Sequence, residues 1–338
     1  MNRKQFGVLV VLLVVCAAVA WHFYQHNNSS WQSADQSIGG KLFPNLTIGD
    51  AAQMTIDSAT NKLTIWLNND HWTVRERYDY PANFSQISDL VKKLPDLKII
   101  QHEDSGPSEL PRFNLSSPGT GANSGTLVEL KDQNGKTLAS LLLGKDHMNQ
   151  PANGQGWPDG RYVIANSNNA DVVVVSETFD NVTANPADWL DKTFFKISNP
   201  KSIAATFATA TNSWKLTRAS ETNDWELADP RPGEKLDSSK VDDLTSSFDS
   251  LSFNDVGLVI TPPADATTVT VDTFDGTNYL AKIWPSADDN DSLVISIDTQ
   301  GKVAAESQYS HWTYDIPSYS VESLLKPRSS LLETKTKN

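Results

Sequence analysis

Metal ligands, activated nucleophiles and phosphate cradles each need particular residue types at particular spacings, and this chain supplies few of them. Its six histidines, His22, His26, His71, His102, His147 and His311, are scattered, and no two bracket a metal or share a helix face. The single cysteine, Cys16, lies inside an apolar run, so everything beyond it lacks thiolate chemistry and intrachain disulfides. No G-x-S-x-G elbow presents a serine nucleophile. Asp288-Asp289-Asn290-Asp291-Ser292 offers the hard oxygens that calcium needs, but without the central glycine and terminal glutamate of a calcium loop it reads as a solvated turn. The glycine-rich stretch 119–125 runs into a strand at Leu127 rather than opening a helix, so it reads as a loop and not a phosphate cradle. No catalytic, cofactor or metal residues are assigned, and a non-enzymatic role is favoured.

One stretch differs in kind. Residues 149–160 (NQPANGQGWPDG) read as a long polar loop carrying Trp157 between Gly156 and Pro158, with Arg161 just beyond. Aromatic side chains on loops are favoured anchors for protein or carbohydrate, whereas the bland alternative is a tryptophan folded back onto its own sheet. Trp157 and Arg161 are the candidate contact residues. Trp66, Trp72, Trp189, Trp214, Trp225, Trp284 and Trp312 fall in alternating strands or at a linker and are expected in the core.

The elements that would carry such a contact begin at the N-terminus. Arg3 and Lys4 precede an uncharged apolar run at 6–21, and no Lys or Arg recurs until Lys41. That bias keeps the N-terminus cytoplasmic and the bulk outside. At about 1.5 Å per residue, positions 6–24 span about 28 Å, close to a hydrocarbon core of about 30 Å, with Trp21, Phe23 and Tyr24 at the interface. Residues 1–24 read as a single-pass anchor, with 5–24 in the lipid bilayer. Ala18-Val19-Ala20 also fits a signal-peptidase site, so secretion after cleavage following Ala20 stays open. Lipidation of Cys16 is disfavoured by Val15 where a small residue is wanted. Disulfide-free folding outside the cytoplasm points to a bacterial inner membrane with a periplasmic body. The formal net charge of −13 repels phosphate, which excludes nucleic acid as a partner.

Residues 25–40 are polar and aperiodic and read as a flexible tether, and 326–338 lose apolar periodicity after Pro327 and read as a disordered tail. Between them the chain runs one programme twice, over 41–185 and 194–325, joined by a linker near 186–198. Each pass has alternating strands (53–56 and 62–67, then 203–207 and 213–216) and a polar turn into a tryptophan strand, at Trp72 and Trp225. A helix follows each, on Phe84, Ile87, Leu90, Val91 and Leu94, or on Val241, Leu244, Phe248 and Leu251, with Asn83 and Asp237 as N-caps. Hairpins at Asn134-Gly135 and Asp275-Gly276 come next, each turn expected to place both residues at positive φ. Strands at 160–165 and 171–175 close the first pass, and strands at 292–297 and 312–316 the second. The expected fold is α+β: two tandem related units of antiparallel sheet, each with one packed helix, plus the N-terminal transmembrane helix.

The Arg3-Lys4 anchor, Trp72 with Tyr80-Pro81-Ala82, Leu143-Gly144-Lys145, Gly160-Arg161-Tyr162-Val163, the valines at 172–175, Asp188-Trp189-Leu190-Asp191-Lys192 ahead of Phe194-Phe195, and Trp225-Glu226-Leu227 together resemble the bacterial family known as domain of unknown function 4340. Such proteins are often encoded beside components of a gliding-motility-type ABC transporter. The resemblance therefore implies an envelope accessory role and brings no catalytic residues. The expectation is a membrane-anchored interaction protein in an envelope protein complex, the alternative being a cell-wall glycan-binding protein or carbohydrate-active enzyme.

Overall fold

The computed structural model describes residues 38–149, 154, 156–166, 171–193, 196–249, 251–287, 292–300 and 309–333. The anchor expected over 1–24, the tether up to position 37, the acidic turn at 288–291 and the Phe194-Phe195 pair lie outside the described residues. Among those described, no helix is long and apolar enough to cross a membrane.

In chain order the elements are β1 (Gln53–Asp57), β2 (Lys62–Asn68), β3 (His71–Val74), β4 (Tyr80–Pro81), α1 (Phe84–Lys93), β5 (Ile99–Glu103), β6 (Thr126–Lys131), β7 (Thr137–Asn149), β8 (Trp157–Ala165) and β9 (Val172–Val175). There follow β10 (Pro200–Thr206), β11 (Trp214–Thr217), β12 (Glu226–Leu227), α2 (Ser238–Ser246), β13 (Asp255–Leu258), β14 (Thr267–Thr273), β15 (Asn278–Pro285), β16 (Ser292–Gln300) and β17 (Trp312–Pro317). Antiparallel strands dominate and helices are few, as an α+β reading requires.

The chain forms two compact units, the first from residues 38–70 and Phe84–Asn185, the second from His71–Asn83 and 186–333. Strands of the first unit run in the order β2-β1-β6-β7-β8-β9-β5. The second unit is an eight-stranded sheet in the order β12-β11-β10-β14-β15-β16-β17-β13. The two orders follow one course. A hairpin forms, a helix intervenes, the next strand (β5 or β13) joins the far edge against the last strand, and a meander fills the space between.

The helices behave as their periodicity predicts, with one exception. On α1, Ile87, Leu90 and Val91 are buried, and Leu94 just beyond it is buried too, but Phe84, expected on the same face, is 63% exposed. On α2, Val241 and Leu244 are buried, and Asp237 caps the N-terminus by accepting the Ser239 N–H at 3.1 Å. Asn83 gives its backbone N–H to the Trp189 carbonyl at 2.8 Å.

Both hairpins form where glycine demands them, but with a different turn. Only Gly135 (φ 79°) and Gly276 (φ 91°) take positive φ, not the Asn or Asp before them. Asp132 N–H bonds to Lys136 O, and Thr273 N–H to Thr277 O, so each loop holds three residues with glycine last, the other common hairpin geometry. Side chains supply the rest: Asp132 Oδ1 accepts the N–H groups of Asn134 and Lys136, and Asp275 Oδ1 accepts that of Thr277 at 3.0 Å.

The C-terminal stretch corrects the sequence reading. Residues expected to fray after Pro327 are ordered through Glu333 within the second unit. Arg328 and Leu331 are buried, Leu236 bridges Leu332, and Asp237 N–H reaches Leu331 O at 2.9 Å. The cause is Arg328, whose guanidinium holds Asp229 Oδ1 at 2.8 Å and Glu234 Oε2 at 2.7 Å. Residues 334–338 lie outside the described part.

The segment His71–Asn83 follows β2 in the repeat read over 41–185 and carries β3 and β4. This segment packs within the second unit. Ala82 bridges Leu190, and Asp191 N–H bonds to Pro81 O at 2.9 Å, so Tyr80-Pro81-Ala82 and Asp188-Trp189-Leu190-Asp191-Lys192 meet although about a hundred residues separate them. The Tyr80 ring packs edge-on against Trp312 at 4.9 Å and Phe253 at 5.5 Å. Arg77 clamps Asp255 with two bonds of 2.5 and 2.7 Å. Part of the stretch expected to be a linker, 186–193, thus belongs to the second unit's body.

Candidate functional site

The candidate contact residues lie in the first unit on β7 and β8, the long antiparallel pair that runs from Leu141 opposite Ala165 to Asn149 opposite Trp157. The 149–160 stretch is thus not wholly a loop: positions 157–160 already belong to β8, and 150–153 and 155 lie outside the described residues. Two register shifts interrupt the pairing, between Leu143 and Asp146 and between His147 and Met148. Bulges of this kind bend a strand and re-aim its side chains. Trp157, the first residue of β8, is 53% exposed, and Met148 on the facing strand is 43% exposed.

The ground beneath is stiff for reasons visible in individual residues. Gly144 and Gly160 stand where no side chain fits: a Cβ on Gly144 would lie 2.3 Å from Phe113 O, and one on Gly160 2.4 Å from Val175 O. Arg161 lies about 13 Å along the strand from Trp157. Its Nε donates to Gly144 O at 2.8 Å and its Nη1 to Thr178 O at 2.8 Å, with Asp146 3.8 Å away. Its Nε and Nη1 donors go to backbone carbonyls of the fold, which separates its role from that of Trp157. Gly144→Ala is expected to destabilise the unit by about 2 kcal/mol through forced overpacking, read as an earlier urea midpoint; an unchanged midpoint would show that the Phe113 backbone can give way.

Sequence reading passed over a polar cluster on these strands. His147 Nδ1 lies 2.6 Å from Asp159 Oδ1. The His147 ring meets Tyr162 edge-on at 5.5 Å, and Tyr162 in turn packs on Phe113 at 4.8 Å. Lys145 Nζ sits 5.7 Å from both of these rings, and the Arg112 guanidinium 4.6 Å from Phe113. Burial, with Glu103 and Asp159 nearby, raises the Tyr162 hydroxyl pKa above its ordinary value, so it stays protonated. Phe113, Leu115, Ile164 and Val172 form the apolar floor. Among the described residues His147 has no hydroxyl or thiol partner, and no group of His, Cys, Asp and Glu could hold a metal ion. This surface carries an exposed indole at the start of β8 and, further along the same strand pair, an aromatic, cation and imidazole cluster.

Residues 72–273 match the sequence model of a family described as "Domain of unknown function (DUF4340)". The chain belongs to that family. No curated protein and no solved structure matches it. The DUF4340 match begins on β3 and ends on β14, and so includes residues of both units. Within it, the Leu143-Gly144-Lys145 and Gly160-Arg161-Tyr162-Val163 motifs have the structural reason just given: each glycine admits a carbonyl, and the arginine pins the strands. Trp157 lies outside both motifs.

Proposed function

We propose that this DUF4340 protein is a membrane-anchored, extracytoplasmic interaction protein that uses the β7–β8 end to contact a protein of an envelope complex, with a subunit of an ABC-type transporter as the partner. The exposure of Trp157 on a strand pair pinned by Arg161 carries the reading, because a rigid aromatic side chain loses little conformational entropy on binding and dominates contact energetics where it is desolvated. The apolar run behind Arg3 and Lys4 supports the anchor, and the repeated sheet order supports a duplicated body whose task is presentation.

The test is co-purification of the full-length chain from solubilised membranes. A stoichiometric partner is expected, with Trp157→Ala reducing its recovery by about tenfold or more at unchanged expression and melting temperature. Equal recovery with the variant would overturn the assignment of the surface, and recovery of the chain only in a soluble periplasmic fraction would overturn the anchor. Stacking of a sugar on Trp157 is the second reading, favoured by the same exposure. Sedimentation with peptidoglycan that is lost in Trp157→Ala, without a protein partner, would select it.

A further inference from the structure

The outer face of the second sheet carries a polar cleft unrelated to the Trp157 surface. Register places Ser202 of β10 opposite both Thr217 of β11 and Asp272 of β14, and Asp272 opposite Asn278 of β15. Four strands thus present one polar rung, Thr217-Ser202-Asp272-Asn278, on the side opposite the buried Ile203, Leu216, Val271 and Tyr279. The cleft over this rung measures about 380 Å³, within the range of small-molecule sites.

Its charge opposes that of the protein. In a chain of net charge −13, Lys201, Lys215 and Arg218 line the cleft, against Asp272 as its one acid. Lys201 and Lys215 form no ion pair among the described residues. Arg218 is held in place: Nε donates to Pro200 O at 2.7 Å, Nη1 to Glu221 O at 2.8 Å, and the guanidinium lies 4.8 Å from the Trp225 ring. Its Nη2 makes no hydrogen bond among the described residues. Asp272 accepts from Ser202 Oγ at 2.7 Å and from the Asn278 amide. The Ser202 bond first, then Asn278 and the two lysines, lower its pKa, so the carboxylate stays charged at neutral pH.

We propose that this cleft binds a carboxylate-bearing saccharide, a sugar acid, with its carboxylate on Lys201, Lys215 and Arg218 and a hydroxyl donated to Asp272. Inorganic phosphate could meet the cations and give a P–OH proton to Asp272, but it is far smaller than the cleft of about 380 Å³ and would leave most of the polar rung untouched. A neutral sugar would satisfy Asp272 and leave the cations unused. A sugar acid answers both.

Saturation-transfer NMR on the full-length chain in a non-glycosidic detergent tests this with glucuronate, glucose and acetate as directly observed probes and inorganic phosphate as a competitor of glucuronate. Glucuronate is expected to bind, and each of the other three about tenfold more weakly or less. The double variant Lys201→Ala/Lys215→Ala, at exposed positions and with an unchanged melting curve, should weaken glucuronate about tenfold. Asp272→Asn should narrow the gap between glucuronate and acetate. Phosphate binding tighter than glucuronate, or glucuronate binding indifferent to both variants, overturns the assignment. A Trp157→Ala control leaves this binding intact, so failure here and failure of the partner surface are separate results.

Discussion

Tyr80→Ala is expected to lower the stability of the second unit by about 4 kcal/mol, in the range for a buried aromatic truncated to alanine. Tyr80 is 3% exposed, and its ring contacts Trp312, Phe253 and, at 6.2 Å, Tyr314. Edge-on pairs of this kind add about 1 kcal/mol each beyond the area they bury, so losing them together leaves a void that Phe253, just before β13, and Trp312 of β17 cannot refill from where they stand. Tyr80→Phe keeps the ring and should cost less than about 1.5 kcal/mol. Denaturant unfolding of both variants reads the difference, and a Tyr80→Ala cost below about 1 kcal/mol would show that His71–Asn83 is an ornament on the unit and not part of its core. A pH signature follows. Burial raises the Tyr80 and Tyr314 hydroxyls well above the ordinary 10.0, so the folded state holds these protons more tightly than the unfolded chain. Their contribution is fully present below about pH 10 and is lost as pH rises beyond it, and Tyr80→Phe should flatten that alkaline decline.

Why this knot escapes a sequence reading is instructive. The alternation of Gln53–Asp57 and Lys62–Asn68 is local information, as is the spacing of Ile87, Leu90 and Val91, and both yield the observed elements. Gly135 and Gly276 mark hairpins because only glycine rests easily at positive φ, although the residue before each leaves the turn in a three-residue form. The neighbours of Tyr80, by contrast, are Phe253, Trp312 and Tyr314, and no local pattern announces partners so distant. A strand read as the third of the first repeat therefore gives no local sign of the second-unit residues it packs with. The edge strands β5 and β13 were missed for another reason: Ile99–Glu103 and Asp255–Leu258 are short and half polar, and edge pairing asks for no regular alternation.

The contact surface was legible in one respect only. An indole between Gly156 and Pro158 has little hydrophobic context to fold into, and Trp157 is indeed exposed. Arg161, equally conspicuous, is occupied by carbonyls that only the register of β7 and β8 brings near it. The cleft around Asp272 was invisible because Lys201, Lys215 and Asp272 come from three strands, and a rung is a property of register rather than of sequence. Both glycines of the strand motifs could have been flagged: Gly144 and Gly160 interrupt apolar strand patterns, the usual mark of close backbone approach.

Arg328→Ala is expected to cost about 3 kcal/mol, because it opens a gap where a buried side chain stood and leaves the Glu234 carboxylate, 14% exposed, without its cation. The guanidinium is 2% exposed and bonds to the Asp229 carboxylate, the Asp229 carbonyl at 2.8 Å and both Glu234 oxygens, at 3.2 and 2.7 Å. It is what fastens the 328–333 segment to the turn before α2. The exposed Lys235–Glu333 pair, 2.5 Å apart, contributes little by comparison. The same bonds give the fold an acid dependence. The Arg328 hydrogen bond, aided by the Arg231 backbone, pulls Glu234 from its ordinary 4.5 down to about 2, and Arg328 also lowers Asp229. A depressed folded-state pKa means that the contribution is fully present above about pH 4.5 and disappears as pH falls toward about 2. Wild type should therefore lose stability on acidification through this window, and Arg328→Ala should show a shallower slope there because its loss has already occurred at neutral pH. Parallel slopes would show that the acid transition belongs to other carboxylates. Limited proteolysis distinguishes the local consequence from a global one: cleavage beyond Lys326 should accelerate in the variant well below its melting temperature, as expected for a docked segment whose single buried charge holds it in place.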